Sequence, residues 1–393
     1  MEPLHGIRII EVTTNASGPL ATGILADQGA DVIRLETIGS GDPSRHVGGT
    51  RGGVSAYNAQ INRNKRSMAV DLKNPLLREP LLRLIRTADV FVQNSRPGAL
   101  DRYGFGYEAL HAENPTLIYL SISGFGSTGP AAHQRVYDPI IQSVAGFAAA
   151  QGAGGDPALV RTIASDKVAA LTASQAISAA LLARARGLVS GHHVELSMLD
   201  ASLQFLWPEV FWNHSFVGEE GVTRKPLISD FYRLLPTLEG FVALIVVGDT
   251  EFKGACRGLG IEPLFDDPRF RTLSDRFARY AELFAEFAQA SQHLSTAEVV
   301  ARMDHEGVPC ARVNSLDEVI ADERVTHRNS VFEYEDPRAG RMRQARPAAI
   351  FDGEPNGIRR PAPALGEHTD ELLAASGCSA SEIAALRAAG AVA

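Results

Sequence analysis

Short runs of branched apolar residues alternate with helix-like stretches through the first third of the chain, and this alternation restricts the fold more than any other feature. Strands are expected at 7–12, 31–36, 67–72, 89–93 and 116–121. The turn from Asn15 to Pro19 opens a helix that runs through Gln28, and an amphipathic helix is expected over 76–87. Each strand–helix–strand unit has the length of a parallel crossover. The expected class is α/β, a doubly wound and mostly parallel sheet, with ligands bound beyond the strand C-termini. Loops at Asn15, Thr37, Lys73, Asn94 and Gly124 stand at such ends. A dinucleotide is not indicated. The G-x-G-x-x-G fingerprint must lie between the first strand and its helix, where Gly18 is the single glycine; Gly39 and Gly41 follow the second strand.

A second feature lies around Asp166. An apolar, strand-like run over 159–164 gives way to a helix over 167–184 that is apolar on almost every face, so burial is expected. Asp166 at its head would deliver a carboxylate among backbone N–H groups carrying partial positive charge. Read locally, this is an N-cap and nothing more. A strand at 192–197 and an aromatic-rich helix at 198–216 follow, and the whole of 1–217 is assigned to the large domain. A polar linker is expected at 218–228 and a smaller α+β domain at 229–325. That domain should hold a strand pair within 231–247, helices at 250–259, 275–291 and 295–306, and a strand at 308–313. Residues 326–393 should return to the large domain. The stretch 45–64 reads as a polar, glycine-rich loop.

Composition excludes several classes. The net charge of −8 over 393 residues argues against nucleic-acid binding. Cys256, Cys310 and Cys378 are far apart and make no zinc spacing, which fits a reducing compartment. His192 and His193 are strand neighbours whose side chains face opposite ways, so they cannot chelate together. No segment is expected to reach the ~18 uncharged apolar residues of a membrane span. The expected location is cytoplasmic, with neither membrane nor nucleic acid as partner.

Motifs along nearly the entire chain point to a family. They are Gly18-Pro19, Gly39-Ser40-Gly41-Asp42, Asn64 to Ser67 with Asp71-Leu72-Lys73, Arg96-Pro97-Gly98, Leu100 to Gly104 and Ser121 to Gly126. Gly129-Pro130, Ser197 to Ala201, Pro236-Thr237 with Glu239-Gly240, Asp267 to Phe270 and Pro363 to Thr369 continue the series. With these the chain resembles the class III CoA-transferases, the formyl-CoA transferase and carnitine CoA-transferase type, a family that also includes the α-methylacyl-CoA racemases. The resemblance implies a homodimer in which each chain threads through the other. It also implies coenzyme A or acyl-CoA as substrate, with no tightly bound cofactor and no metal.

The same resemblance makes Asp166 the catalytic residue. Its carboxylate would attack the donor thioester to give an aspartyl–acyl anhydride and CoA thiolate, which then forms an aspartyl-CoA thioester. The acceptor acid attacks that thioester, and the returning thiolate completes transfer. The expected reaction moves CoA from an acyl-CoA, succinyl-CoA being the expected donor, to a small carboxylic acid. Position 137 separates this chemistry from racemisation. Racemases carry a histidine there as second base, whereas Tyr137, with an ordinary phenol near pKa 10, is a poor base at neutral pH. His133 lies in a loop four residues earlier and does not replace it. The alternatives are a 2-methylacyl-CoA racemase or epimerase, and a non-catalytic CoA-binding protein.

CoA contacts carry over to Ala16, Ser17, Thr37, Val70, Asp71, Leu72, Lys73, Asn94, Ser95, Arg96, Arg102, Arg135, Val136, Tyr137 and Asp138. Two of these depart from the family pattern: Thr37 replaces an arginine and Ala16 a glutamine. Arg45, Arg51 and Arg63 are candidates to compensate, or to hold the acceptor carboxylate.

Overall fold

The computed structural model describes residues 2–218, 220–355 and 357–393, and residue 219 of the expected linker lies outside the described residues. The chain divides into two compact units. One combines the chain up to Phe211 with Asn329–Ala393, and the other is Trp212–Arg328.

In the first unit, β1 (Arg8–Val12), β2 (Asp31–Thr37), β3 (Lys65–Val70), β4 (Val90–Gln93), β5 (Ile118–Ser123) and β6 (His192–Ser197) form one sheet of order β3-β2-β1-β4-β5-β6. Every pairing in it is parallel. The strand order reverses between β1 and β4, which opens a crevice at their C-terminal ends. Alternation along each strand feeds two cores. Ile9, Val32, Val90 and Ile118 face α1 (Ser17–Asp27) and its neighbours, while Ile10, Ile33, Phe91 and Tyr119 face α3 (Arg78–Ile85) and the C-terminal helices. The C-terminus is pinned to β3 through Ala393 N–H to Ala69 O at 3.1 Å and Asp71 N–H to Ala391 O at 2.9 Å.

The stretch 45–64 is not all loop. Val54–Ser55 leads into α2 (Ala56–Asn62), capped by the Ser55 hydroxyl accepting the Asn58 N–H at 3.0 Å. Residues 159–163 form no strand; the chain bends at Arg161 and Thr162. Gln142 on α5 (Asp138–Ala145) takes the place of a neighbouring strand, accepting from Val160 N–H at 2.9 Å and donating to Thr162 O at 2.9 Å.

The long helix is α6 (Ala164–Ala185), and it is not buried on every face. Small residues such as Ala169, Ala173 and Ala180 let one stripe pack closely into the core shared with α1. Leu171 and Leu182, on other faces, are 61% and 59% exposed. With charges confined to its ends, α6 is by length and composition apolar enough to cross a membrane, as a core helix also can be, although its uncharged run, 168–183, stays short of the ~18 residues expected of a span. The aromatic helix α7 (Met198–Val210) carries Pro208 in its last turn and stops before the 3₁₀ turn Trp212–His214.

The second unit packs an antiparallel sheet, β7 (Leu234–Pro236), β8 (Phe241–Leu244) and β9 (Cys310–Arg312), with β8 central. Leu235, Val242 and Leu244 share a core with Phe252, Phe287 and Val299 from its helices. The helix expected over 275–291 is two, Leu273–Ala278 and Tyr280–Ser291, separated at Arg279.

Candidate active site

Asp166 is the third residue of α6. Its N–H donates to Asp138 Oδ1 at 3.0 Å, and Asp138 Oδ2 accepts from Gln142 Nε2 at 2.5 Å. Asp138 therefore satisfies a free N–H at the head of α6 while Gln142 fixes the segment leading into it. The backbone N–H and the hydroxyl of Ser17, the first residue of α1, favour the ionised Asp166 carboxylate. Two helix N-termini thus converge on one carboxylate. Burial, and then repulsion from Asp138, push Asp166 up to about 6, while the Ser17 donors pull the other way. At neutral pH the group is mainly ionised yet partly desolvated, the state a carboxylate nucleophile needs.

Tyr57 on α2 also belongs here. Burial, followed by the charges of Asp166 and Asp42, pushes its phenol up to about 12, so it remains a neutral donor. No sequence signal indicated Tyr57, an aromatic within a polar stretch. It enters the site because α2 packs beside α1.

The turn joining β1 to α1 is held from two sides. The Asn94 side chain, just beyond β4, makes both backbone bonds of Thr14, accepting its N–H at 2.9 Å and donating to its carbonyl at 2.8 Å. Asn15 is left-handed at φ +63, and its N–H donates to Asp42 Oδ2 at 3.0 Å. Asp42, in the loop after β2, also accepts from Ser44 N–H at 2.7 Å and pairs with Arg34 Nη2 at 3.1 Å.

Arg34 belongs to a buried lattice under the crevice. Glu11, Glu36 and Asp42 oppose Arg34, Lys65 and Arg45, so the charges balance. The Lys65 ammonium contacts Glu11, Pro19 O, Thr22 and Asn62 at 2.8–3.0 Å. Complete burial drives it down to about 8 even though Glu11 favours its charge. Glu36 is also disfavoured as an anion by burial, but Arg45 and Arg34 outweigh this and hold it at about 2.

The candidate compensating arginines have these surroundings. Arg45 grips Glu36 at 2.8 and 2.6 Å, and Arg63 is buried on Asp27. Arg51 donates to the Arg341 carbonyl. All three have partners within the chain, Arg45 and Arg63 on carboxylates and Arg51 on a carbonyl.

The remaining expected contacts divide. Thr37, Val70, Asp71, Leu72, Lys73 and Ser95 line a crevice of about 280 Å³ at the strand-order reversal. Arg96, Arg102, Arg135 and Lys73 are exposed, and none of the four makes a side-chain hydrogen bond or ion pair among the described residues. Asn94 is occupied by Thr14, and Ala16 is buried and offers no side-chain donor. Val136 packs on the core of α1 and α6, so close to Gly124 that a Cβ there would come within 2.4 Å. Tyr137 is 69% exposed at the N-cap of α5.

Known proteins resemble this chain along nearly its full length. The family described as CoA-transferase family III matches residues 4–369. The chain is 34% identical to the succinate–glutarate CoA-transferase of Agrobacterium fabrum, with 95% of each chain covered. It is 34% identical to the acetyl-CoA:oxalate CoA-transferase of Acetobacter aceti, covering 93% of each. The crystal structure of a CAIB/BAIF family protein from Brucella suis superposes with a TM-score of 0.82 at 30% identity, covering 95% of this chain and 99% of that one.

Proposed function

The chain belongs to CoA-transferase family III and is an enzyme of that kind, and on this premise we propose that it moves CoA from succinyl-CoA to a small dicarboxylic acid through covalent intermediates on Asp166. One observation carries the mechanism: a carboxylate held at about 6, facing the Ser17 donors at the head of α1. Attack by Asp166 on the donor carbonyl forms the carboxylate–acyl bond and expels CoA thiolate. The thiolate then attacks the aspartyl carbonyl, releasing the donor acid and leaving CoA on Asp166 as a thioester. The acceptor carboxylate displaces CoA to form a second anhydride, and thiolate attack on the acceptor carbonyl frees Asp166. Each tetrahedral adduct places negative charge beside donors already aimed at the carboxylate. The acceptor class follows from relatives whose names specify glutarate and oxalate.

The crevice at the strand-order reversal, with Lys73 at its rim and Arg102 close by in sequence, suits the nucleotide end of CoA, whose phosphates need cationic partners. No further cofactor is part of this reading. The free cysteines and net negative charge support a cytoplasmic protein without nucleic-acid partners, and exposed leucines on α6 support a homodimer.

The decisive experiment is intact-protein mass spectrometry after incubation with succinyl-CoA and hydroxylamine, wild type beside Asp166→Ala. A hydroxamate on Asp166, absent from the variant, is the expected result. No adduct with any of several acyl-CoA donors would exclude covalent transfer, and α-proton exchange in a 2-methylacyl-CoA would then establish racemisation instead.

A further inference from the structure

We propose that Asn94 and Asp42 are positioning residues for Asp166, acting through the β1–α1 turn that they clamp rather than through contact with CoA. The inference rests on Asp166 being the nucleophile. The turn spans Thr13 to Ser17 and ends in the first residue of α1, whose N–H and hydroxyl favour the ionised Asp166 carboxylate. Two of its backbone units are fixed by side chains from other loops. Thr14 is held at both its N–H and its carbonyl by the one Asn94 amide, and the left-handed Asn15 has its N–H on Asp42. A left-handed non-glycine residue persists where its surroundings over-determine it.

Asp42 is itself immobilised, buried with three partners: Asn15 N–H, Ser44 N–H and the Arg34 guanidinium. The clamp therefore runs from the charge lattice beneath the sheet, across the strand-order reversal, to the head of α1. Asn94 has its carbonyl oxygen and its amide nitrogen both on Thr14, which opposes a ligand role for that side chain. The groups surrounding Asp166 make the consequence readable. Asp138 from α5 and Tyr57 from α2 face it, and Lys167 beside it on α6 donates to Thr162 at 2.7 Å. Tyr57, at about 12, stays neutral over the assay range. Ser17 alone favours the ionised carboxylate among the causes that set Asp166. Releasing the turn weakens the Ser17 donors, so Asp166 holds its proton to higher pH.

The test measures the rate of hydroxamate formation on Asp166 against pH, with succinyl-CoA and hydroxylamine, for wild type, Asn94→Ala, Asp42→Asn and Ser17→Ala. Asn94→Ala changes no charge and is the primary variant. The expected result is a ~10–100-fold fall in kcat with KM for succinyl-CoA within about threefold. The acidic limb of the profile should also move up by roughly half a pH unit or more, in the direction Ser17→Ala moves it. A lower kcat with an unmoved acidic limb would reduce Asn94 to a structural role and overturn the proposal. A KM rise with kcat preserved would make Asn94 a CoA contact and overturn it equally. Should Asp42→Asn fail to fold, with the buried lattice one negative charge short, Asn94→Ala decides alone. If wild type forms no adduct at Asp166, the nucleophile assignment falls and this inference with it. An adduct with an unmoved limb removes the positioning role only.

Discussion

At the scale of single residues, the site places a carboxylate where ionisation is unfavourable. Asp166 titrates at about 6 instead of the ordinary 3.8 because burial, and then Asp138, oppose its charge more than Ser17 supports it. The folded chain therefore binds a proton on Asp166 more tightly than the unfolded chain does. Between about 3.8 and 6 the folded state is the more protonated one, so stability from this group is complete below the unfolded value and is lost as pH rises through 6. The loss is on the order of 3 kcal/mol. Asp166→Asn should abolish transfer and raise the melting temperature at pH 7. At pH 4, where the wild-type carboxyl is already protonated when folded, the gain should vanish. Calorimetry at the two pH values checks this, and an equal gain at both would mean that the charge of Asp166 costs the fold nothing. Asp166 itself was legible in the sequence because a lone carboxylate preceded a long apolar helix within matched motifs. Tyr57 and the lattice around Arg34 and Lys65 were not. Their partners lie far apart in the chain, as Lys65 does from Glu11, and no local pattern encodes such pairing.

At the scale of elements, the parallel sheet was readable from its apolar runs because β1 to β5 are largely buried and the crossovers joining them are short, whereas the edge strand β6 is mostly exposed and follows a much longer connection. The failures occurred where side chains replaced regular pairing. Residues 159–164 have strand composition, yet Gln142 occupies the edge that a partner strand would have used. This makes Gln142 a structural keystone for the approach to Asp166. Gln142→Ala leaves the Val160 N–H and the Thr162 carbonyl without that partner and removes a donor from Asp138. A loss of about 2–4 kcal/mol is expected. Amide exchange should accelerate over 157–164 while α3 stays protected, and uniform acceleration across the large unit would show instead that Gln142 stabilises the whole fold. The second misreading, α2 taken as loop, has a comparable origin. Its helix is a mere seven residues long and is fixed by the Ser55 cap and by burial of Asn58, Ala59, Ile61 and Asn62, not by propensity.

At the scale of the whole molecule, the order β3-β2-β1-β4-β5-β6 explains why residues distant in sequence gather at one crevice. The loops after β1, β2, β3 and β4 all end at the strand-order reversal. Sequence alternation predicted such a sheet, but not which strands would be neighbours. The large unit also presents more apolar surface than a solitary chain is expected to leave in water. Leu171 and Leu182 on α6 are joined by Ile140 and Val144 on α5 and by Phe205 and Trp207 on α7, all exposed. A helix with the composition of α6 is expected to be buried all round, and a second copy of the chain would complete that burial. Leu171→Asp with Leu182→Asp should therefore convert a dimer into a monomer in light scattering at micromolar concentration, with helix content by circular dichroism retained. Each leucine that a partner buries contributes about 1.5–3 kcal/mol, so two charged replacements suffice to break a micromolar association. A wild-type chain that is monomeric at the same concentration would remove the dimer. A double variant that stays dimeric would place the interface on another surface.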